Sequence, residues 1–159
     1  MGFWNCVVYL LAIGVSGAVL GRLMPAEWFC PERFPFRETS LERSSRVYEK
    51  LGIRRWQKLL PDLSRILPGL LPEKKLGADY RDRLPEMIRE TMIAEMVHAI
   101  LALMGLYCLK LWKGMGGIVM ACLNAAGNIL YILIQRYNRP RLIRLMKGRS
   151  GRNLVFHGV

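Results

Sequence analysis

Cysteine is sparse, and its spacing suits neither a metal site nor a disulfide frame. Cys6, Cys30, Cys108 and Cys122 are scattered along the chain. Three of them sit in apolar blocks, as reduced, small hydrophobic residues do. Histidine is scarcer: His98 and His157 form no metal-binding pair. Acidic side chains are also few, with 12 Asp and Glu against 24 Lys and Arg, a net charge of +12. There is no Gly-rich nucleotide loop and no Gly-x-Ser-x-Gly elbow. No metal and no cofactor is therefore expected.

What the chain does have is apolar length. It has 159 residues, a size that fits one domain, and 52% are hydrophobic. The apolar residues concentrate in three blocks, and the charge lies between them. A soluble chain this basic would suggest nucleic acid. Beside long apolar blocks, basic loops instead suit the cytoplasmic face and anionic lipid, so nucleic acid is not expected as a partner.

The first block, Phe3 to Gly21, is uncharged. Arg22 follows it, and no Lys or Arg precedes it, which favours a retained span over a cleaved leader. Gly17-x-x-x-Gly21 offers a close-packing face. The second block runs from Thr91 to Leu109 and contains Glu95 and His98; Pro85 and Glu86 suit the first turn of its helix. The third, Gly114 to Ile134, is about 31 Å long as a helix, enough to cross a bilayer core. Pro140 is expected to end that helix near Arg139.

Between the first two blocks, residues 22–83 carry 14 of the 24 basic residues. They also carry Trp28, Phe29, Phe34, Phe36, Tyr48 and Trp56, a mixture that suits the headgroup layer. Short helices are expected from Thr39 to Lys50 and from Arg54 to Leu60, with a further turn capped by Asp62 and a linker over 72–83. His157 has no assigned role. The expectation is an all-α integral membrane protein. It is a single domain over 1–159, with spans near 3–21, 91–109 and 114–134. An interfacial and cytoplasmic segment covers 22–90, and a tail covers 135–159. The positive-inside rule puts the long loop and the C-terminus in the cytoplasm.

Polar residues in the third block recur regularly. Asn124, Asn128, Tyr131, Gln135 and Asn138 fall at i, i+4, i+7, i+11 and i+14, on one helical stripe. In the second block Glu90, Thr91, Glu95 and His98 share an arc. With antiparallel spans, the two sets reach one depth below the inner headgroups. Intramembrane ionisable groups are functional candidates. His98 is expected as a general base, oriented by Glu95. Asn128, helped by Asn124 or Gln135, would donate to a developing oxyanion. Arg136, Arg139 and Arg141 would hold an anionic group, with Glu90, Tyr131 and Asn138 completing the substrate site. The competing reading is purely structural, with Glu95 and His98 pairing with amides to hold helices together.

Gln135-Arg136-Tyr137-Asn138-Arg139-Pro140-Arg141-Leu142 resembles the C-terminal signature of the glycosyl-4,4'-diaponeurosporenoate acyltransferase family, from staphyloxanthin-type carotenoid biosynthesis. Glu90-Thr91 with Ala94-Glu95-x-x-His98 resembles its central helix. Arg22-x-x-Pro25-x-x-x-Phe29 and Trp56 are looser matches. The His-x-x-x-x-Asp arrangement of glycerolipid acyltransferases is missing. The resemblance implies a small membrane enzyme that moves a fatty acyl group from an acyl thioester or phospholipid onto a hydroxyl of a glycosylated lipid. The resemblance brings no residue roles with it. The alternative is a non-catalytic membrane subunit or lipid-binding partner. Three spans are a thin scaffold for enclosing a lipid, which leaves room for a homo-oligomer.

Overall fold

The computed structural model describes residues 1–39, 48, 50–57 and 82–156. All regular elements among them are helical: α1 (Gly2–Leu23), α2 (Ile53–Trp56), α3 (Leu84–Met104), α4 (Cys108–Leu111) and α5 (Met115–Phe156), with short 3-10 turns at Ala26–Trp28 and Gly105–Tyr107. Three helical stretches are long and apolar enough to cross a membrane: Gly2–Leu23, Leu84–Leu111 and Met115–Gly148. Their outward faces carry exposed Val8, Leu11, Val15, Leu103, Ile118, Leu123 and Ile129, an apolar coat that water would penalise.

The α3–α5 pair forms the centre, and α1 packs on α3. The small residues of α1 make that packing possible. A Cβ on Gly17 would press on Val97 and Leu101, and one on Gly21 on Val97 and Ile93. A 3-10 turn carries the α3 axis into α4, where Trp112 becomes extended and Gly114, at φ 84°, reverses the chain into α5. Only glycine takes that backbone region freely. At this end Cys6, Cys108 and Ala121 form a small core roofed by Tyr9 and Trp112.

The other end departs from expectation. α5 does not stop at Arg139 but runs through Pro140 to Phe156, about 63 Å in all. Proline forfeits one helical hydrogen bond. Tertiary packing compensates: Leu142, Ile143 and Met146, beyond the proline, pack on a core of Phe29, Phe36, Ile88 and Met92. Residues 24–39 thus form a strap held between the start of α3 and the C-terminal half of α5. Arg144 reinforces it, 3.6 Å from Glu38.

Of the short helices expected before α3, one appears as Ile53–Trp56. The Thr39–Lys50 helix, the Asp62 turn, most of the 72–83 linker and His157 lie mostly or wholly outside the described residues.

Replacing both Gly17 and Gly21 with Leu should push α1 away from α3. The expected loss is about 1–3 kcal/mol per site from overpacking, read as a lower unfolding midpoint in detergent micelles. An unchanged midpoint would show that α1 does not depend on this contact.

Candidate functional site

The antiparallel faces of α3 and α5 meet along a polar seam. Going up α3 from its N-terminus, Thr91, Glu95, His98 and Leu101 recur every three or four residues and face α5. Each layer has its own partners.

The lowest layer is ionic. Glu95 Oε1 accepts from Arg136 Nη1 at 3.0 Å, and Oε2 accepts a close hydrogen bond from Arg139 Nη2. Arg139, 3% exposed, spends its remaining donors on protein: Nε on Thr91 Oγ1 at 3.0 Å, Nη1 on the Phe36 carbonyl at 2.8 Å and Nη2 on the Thr91 carbonyl at 3.4 Å. Its guanidinium also lies over the Phe36 ring. Arg136 is the more open, its side chain 20% exposed, and donates to the carbonyls of Pro35 and Arg37 at 3.3 and 3.5 Å. One carboxylate and two arginines therefore tie α3, α5 and the strap together.

One turn higher the groups are neutral. His98 Nδ1 lies 2.8 Å from Asn128 Oδ1, and the ring stacks on Tyr131 with centroids 4.7 Å apart and planes 5° from parallel. Asn128 Nδ2 donates to the Asn124 carbonyl at 2.9 Å and to Asn124 Oδ1 at 3.1 Å. Asn124 Nδ2 in turn donates to the Leu101 carbonyl at 3.0 Å. Gly105 leaves the room for that amide, since any Cβ there would collide with it.

The seam thus brings together Glu95, His98, Asn124, Asn128, Tyr131, Arg136 and Arg139. It does so in pairings that differ from those expected. Glu95 does not orient His98; it binds two arginines. Helical side chains lean toward the N-terminus, so the Glu95 carboxylate reaches down toward the Thr91 turn, where the permanent charges are. Asn128 has both amide hydrogens committed and has none left for an oxyanion. Arg139 is occupied by the protein rather than open to an anion. Arg141 is exposed and lies against its own helix, with Nη1 3.1 Å from Tyr137 Oη and its guanidinium 4.9 Å from that ring. Glu90, Gln135 and Asn138 are half-buried and make no hydrogen bond or ion pair among the described residues. Thr91, the strap carbonyls and Gly105 were not singled out as site residues, although Thr91 stands inside the Glu90-Thr91 motif. Among the described residues no group of acidic, Cys and His side chains could hold a metal ion.

Residues 25–148 match the family described as glycosyl-4,4'-diaponeurosporenoate acyltransferase. The chain belongs to that family. Curated relatives carry the same description: one from Staphylococcus aureus strain MRSA252 is 28% identical over 147 residues, covering 89% of this chain and 86% of the relative. Another, from strain N315, is 27% identical over the same shares. No solved structure matches the chain. Membership of this acyltransferase family indicates an enzyme, and the matched stretch takes in the strap, the seam and the Gln135–Leu142 octet.

Replacing Glu95 with Gln leaves two guanidiniums facing each other with little compensation. Losing one partner of a buried pair costs about 3–5 kcal/mol. The variant should unfold earlier in detergent, and protease should cut the strap sooner. A Glu95→Gln protein as stable as the parent would show that the ionic layer contributes little.

Proposed function

We propose that the protein moves a fatty acyl group from an acyl thioester or a phospholipid onto a hydroxyl of a glycosylated lipid, at the cytoplasmic leaflet of a bacterial cell membrane. Family membership supports the reaction class. Three apolar helices support the location, and the basic loop and tail support the orientation. On this reading residues 1–159 work as one membrane domain, and the aromatic strap lies in the headgroup layer, with Trp28 and Phe34 exposed toward it.

One observation carries the assignment of His98. Its Nδ1 is held by Asn128 and its ring by Tyr131, while Nε2 has no partner among the described residues. An imidazole held in orientation with one nitrogen open is suited to general base catalysis. In the proposed step, the acceptor hydroxyl oxygen attacks the acyl carbonyl carbon as Nε2 takes its proton. The tetrahedral intermediate then collapses, breaking the bond to the thiolate or lysophospholipid oxygen. The proton returns from Nε2 to that leaving group, and the imidazole is restored.

Gln135 and Asn138, with uncommitted amides one and two turns below Tyr131, are the donors assigned to the oxyanion and the sugar. Glu90 is assigned to a sugar hydroxyl. Arg136, the more open of the Glu95 pair, and the exposed Arg141 are assigned to the anionic part of the donor. Glu95 and Arg139 support the site by fixing the strap.

The test is purified protein in lipid nanodiscs, supplied with labelled acyl thioester or labelled phospholipid and with glycosylated lipid acceptors. Acyl transfer is expected, and His98→Ala should lower kcat by about 10²–10⁴ while the protein stays folded and inserted. Full turnover in that variant rules out the assigned base. Binding of the lipid without transfer by the parent favours the non-catalytic reading.

A further inference from the structure

The proposed base works only if His98 carries its proton on Nδ1 and leaves Nε2 bare. A neutral imidazole is free to choose either nitrogen, and the choice is made by what its other nitrogen meets. We infer that Asn128 is a positioning residue that sets the His98 tautomer, and that Asn124 and the α3 backbone fix the direction in which Asn128 acts.

An asparagine can present either its oxygen or its nitrogen to a neighbour, so the contact alone does not decide the matter. The rest of the chain of hydrogen bonds does. It starts at the Leu101 carbonyl, which can only accept. One lone pair takes the Gly105 N–H, and the other takes Asn124 Nδ2 at 3.0 Å. The Asn124 amide is thereby turned so that its Oδ1 faces Asn128. Asn128 meets two acceptors on that side, Asn124 Oδ1 at 3.1 Å and the Asn124 carbonyl at 2.9 Å. Both hydrogens of Nδ2 are drawn there. Flipping Asn128 would set its oxygen against two oxygens and leave its nitrogen without an acceptor, unless the histidine proton moved as well. Asn128 Oδ1 must therefore face His98 Nδ1, 2.8 Å away, and Nδ1 must be the protonated nitrogen.

The chain of bonds leaves α3 at Leu101, crosses to α5, climbs down one turn there and returns to α3 at His98. Its polarity originates in a backbone group that no rotamer can reverse. In a site of low polarity each unmet group would be costly, which makes the whole chain adopt one direction together. This role for Asn128 replaces the oxyanion role expected from sequence. It rests on the reading of His98 as the base only for its consequence in turnover, not for the tautomer itself.

The experiment pairs two variants, Asn128→Leu and Asn128→Asp, in the full chain in nanodiscs. Nitrogen NMR of histidine-labelled protein reads the tautomer, and kcat and KM are measured for acyl transfer. The parent should show an Nδ1-protonated His98. In Asn128→Leu the signal should shift to the Nε2-protonated form or to a mixture, and kcat should fall tenfold or more with KM little changed. Asn128→Asp keeps an accepting oxygen toward Nδ1 but sets its second oxygen against the Asn124 carbonyl and Oδ1, so it should keep the Nδ1 proton while kcat recovers only in part. This second variant also reports if Asn128→Leu does not fold. An Nε2-protonated His98 in the parent or in the Asp variant overturns the inference, as does an unaltered tautomer in folded Asn128→Leu. A switched tautomer with intact turnover supports the inference and removes His98 as the base.

Discussion

A single carboxylate, Glu95, must satisfy two guanidiniums where water is scarce. The meeting of three distant parts of the chain in the ionic layer follows from that demand. Arg136 and Arg139 come from the far end of the chain, Glu95 from its middle, and the carbonyls of Pro35, Phe36 and Arg37 from its beginning. Two fixed positive charges exceed what one carboxylate balances, and backbone carbonyl dipoles meet the remaining donors. The strap is therefore part of the electrostatic balance of the seam rather than a loop laid over it.

The seam changes character within one turn. Below, permanent charges cross-link three parts of the chain and have little freedom to take up other work. Above, neutral groups orient an imidazole whose Nε2 has no partner among the described residues. On the proposed reading of His98, this division separates holding from reacting. The proposed acyl transfer needs a proton to leave a hydroxyl and arrive on a leaving group, and an imidazole oriented through one nitrogen fits that need.

The sequence made the outline of this arrangement readable. Apolar blocks marked the three long helices, and period-3.6 spacing put Asn124, Asn128 and Tyr131 on one face of α5, and Glu95 and His98 on one face of α3. The pairings were harder to read. Spacing reports the direction of a side chain around the axis but not the height at which it meets a partner. The N-terminal lean of helical side chains sends Glu95 down to the arginines and leaves His98 to Asn128. Pro140 pointed to a helix end near Arg139, which would leave the arginines free to hold an anionic group. Local preference was overridden by the apolar contacts of Leu142, Ile143 and Met146, which depend on Phe29 and Phe36 more than a hundred residues earlier. Such distant contacts leave no periodic trace. The direction of an asparagine amide leaves none at all, since it is decided by neighbours from two helices at once.

The sequence separation of the ionic partners has a bearing on biosynthesis. Glu95 precedes Arg136 by 41 residues and Arg139 by 44, and the strap carbonyls precede those arginines by about a hundred. In a chain that enters a bilayer helix by helix, α3 arrives with its carboxylate unmatched and the strap with nothing to grip. Both wait for the last helix to leave the ribosome. A nascent or truncated copy without α5 therefore leaves the acid of α3 with neither of its two arginines, and only the finished chain brings both.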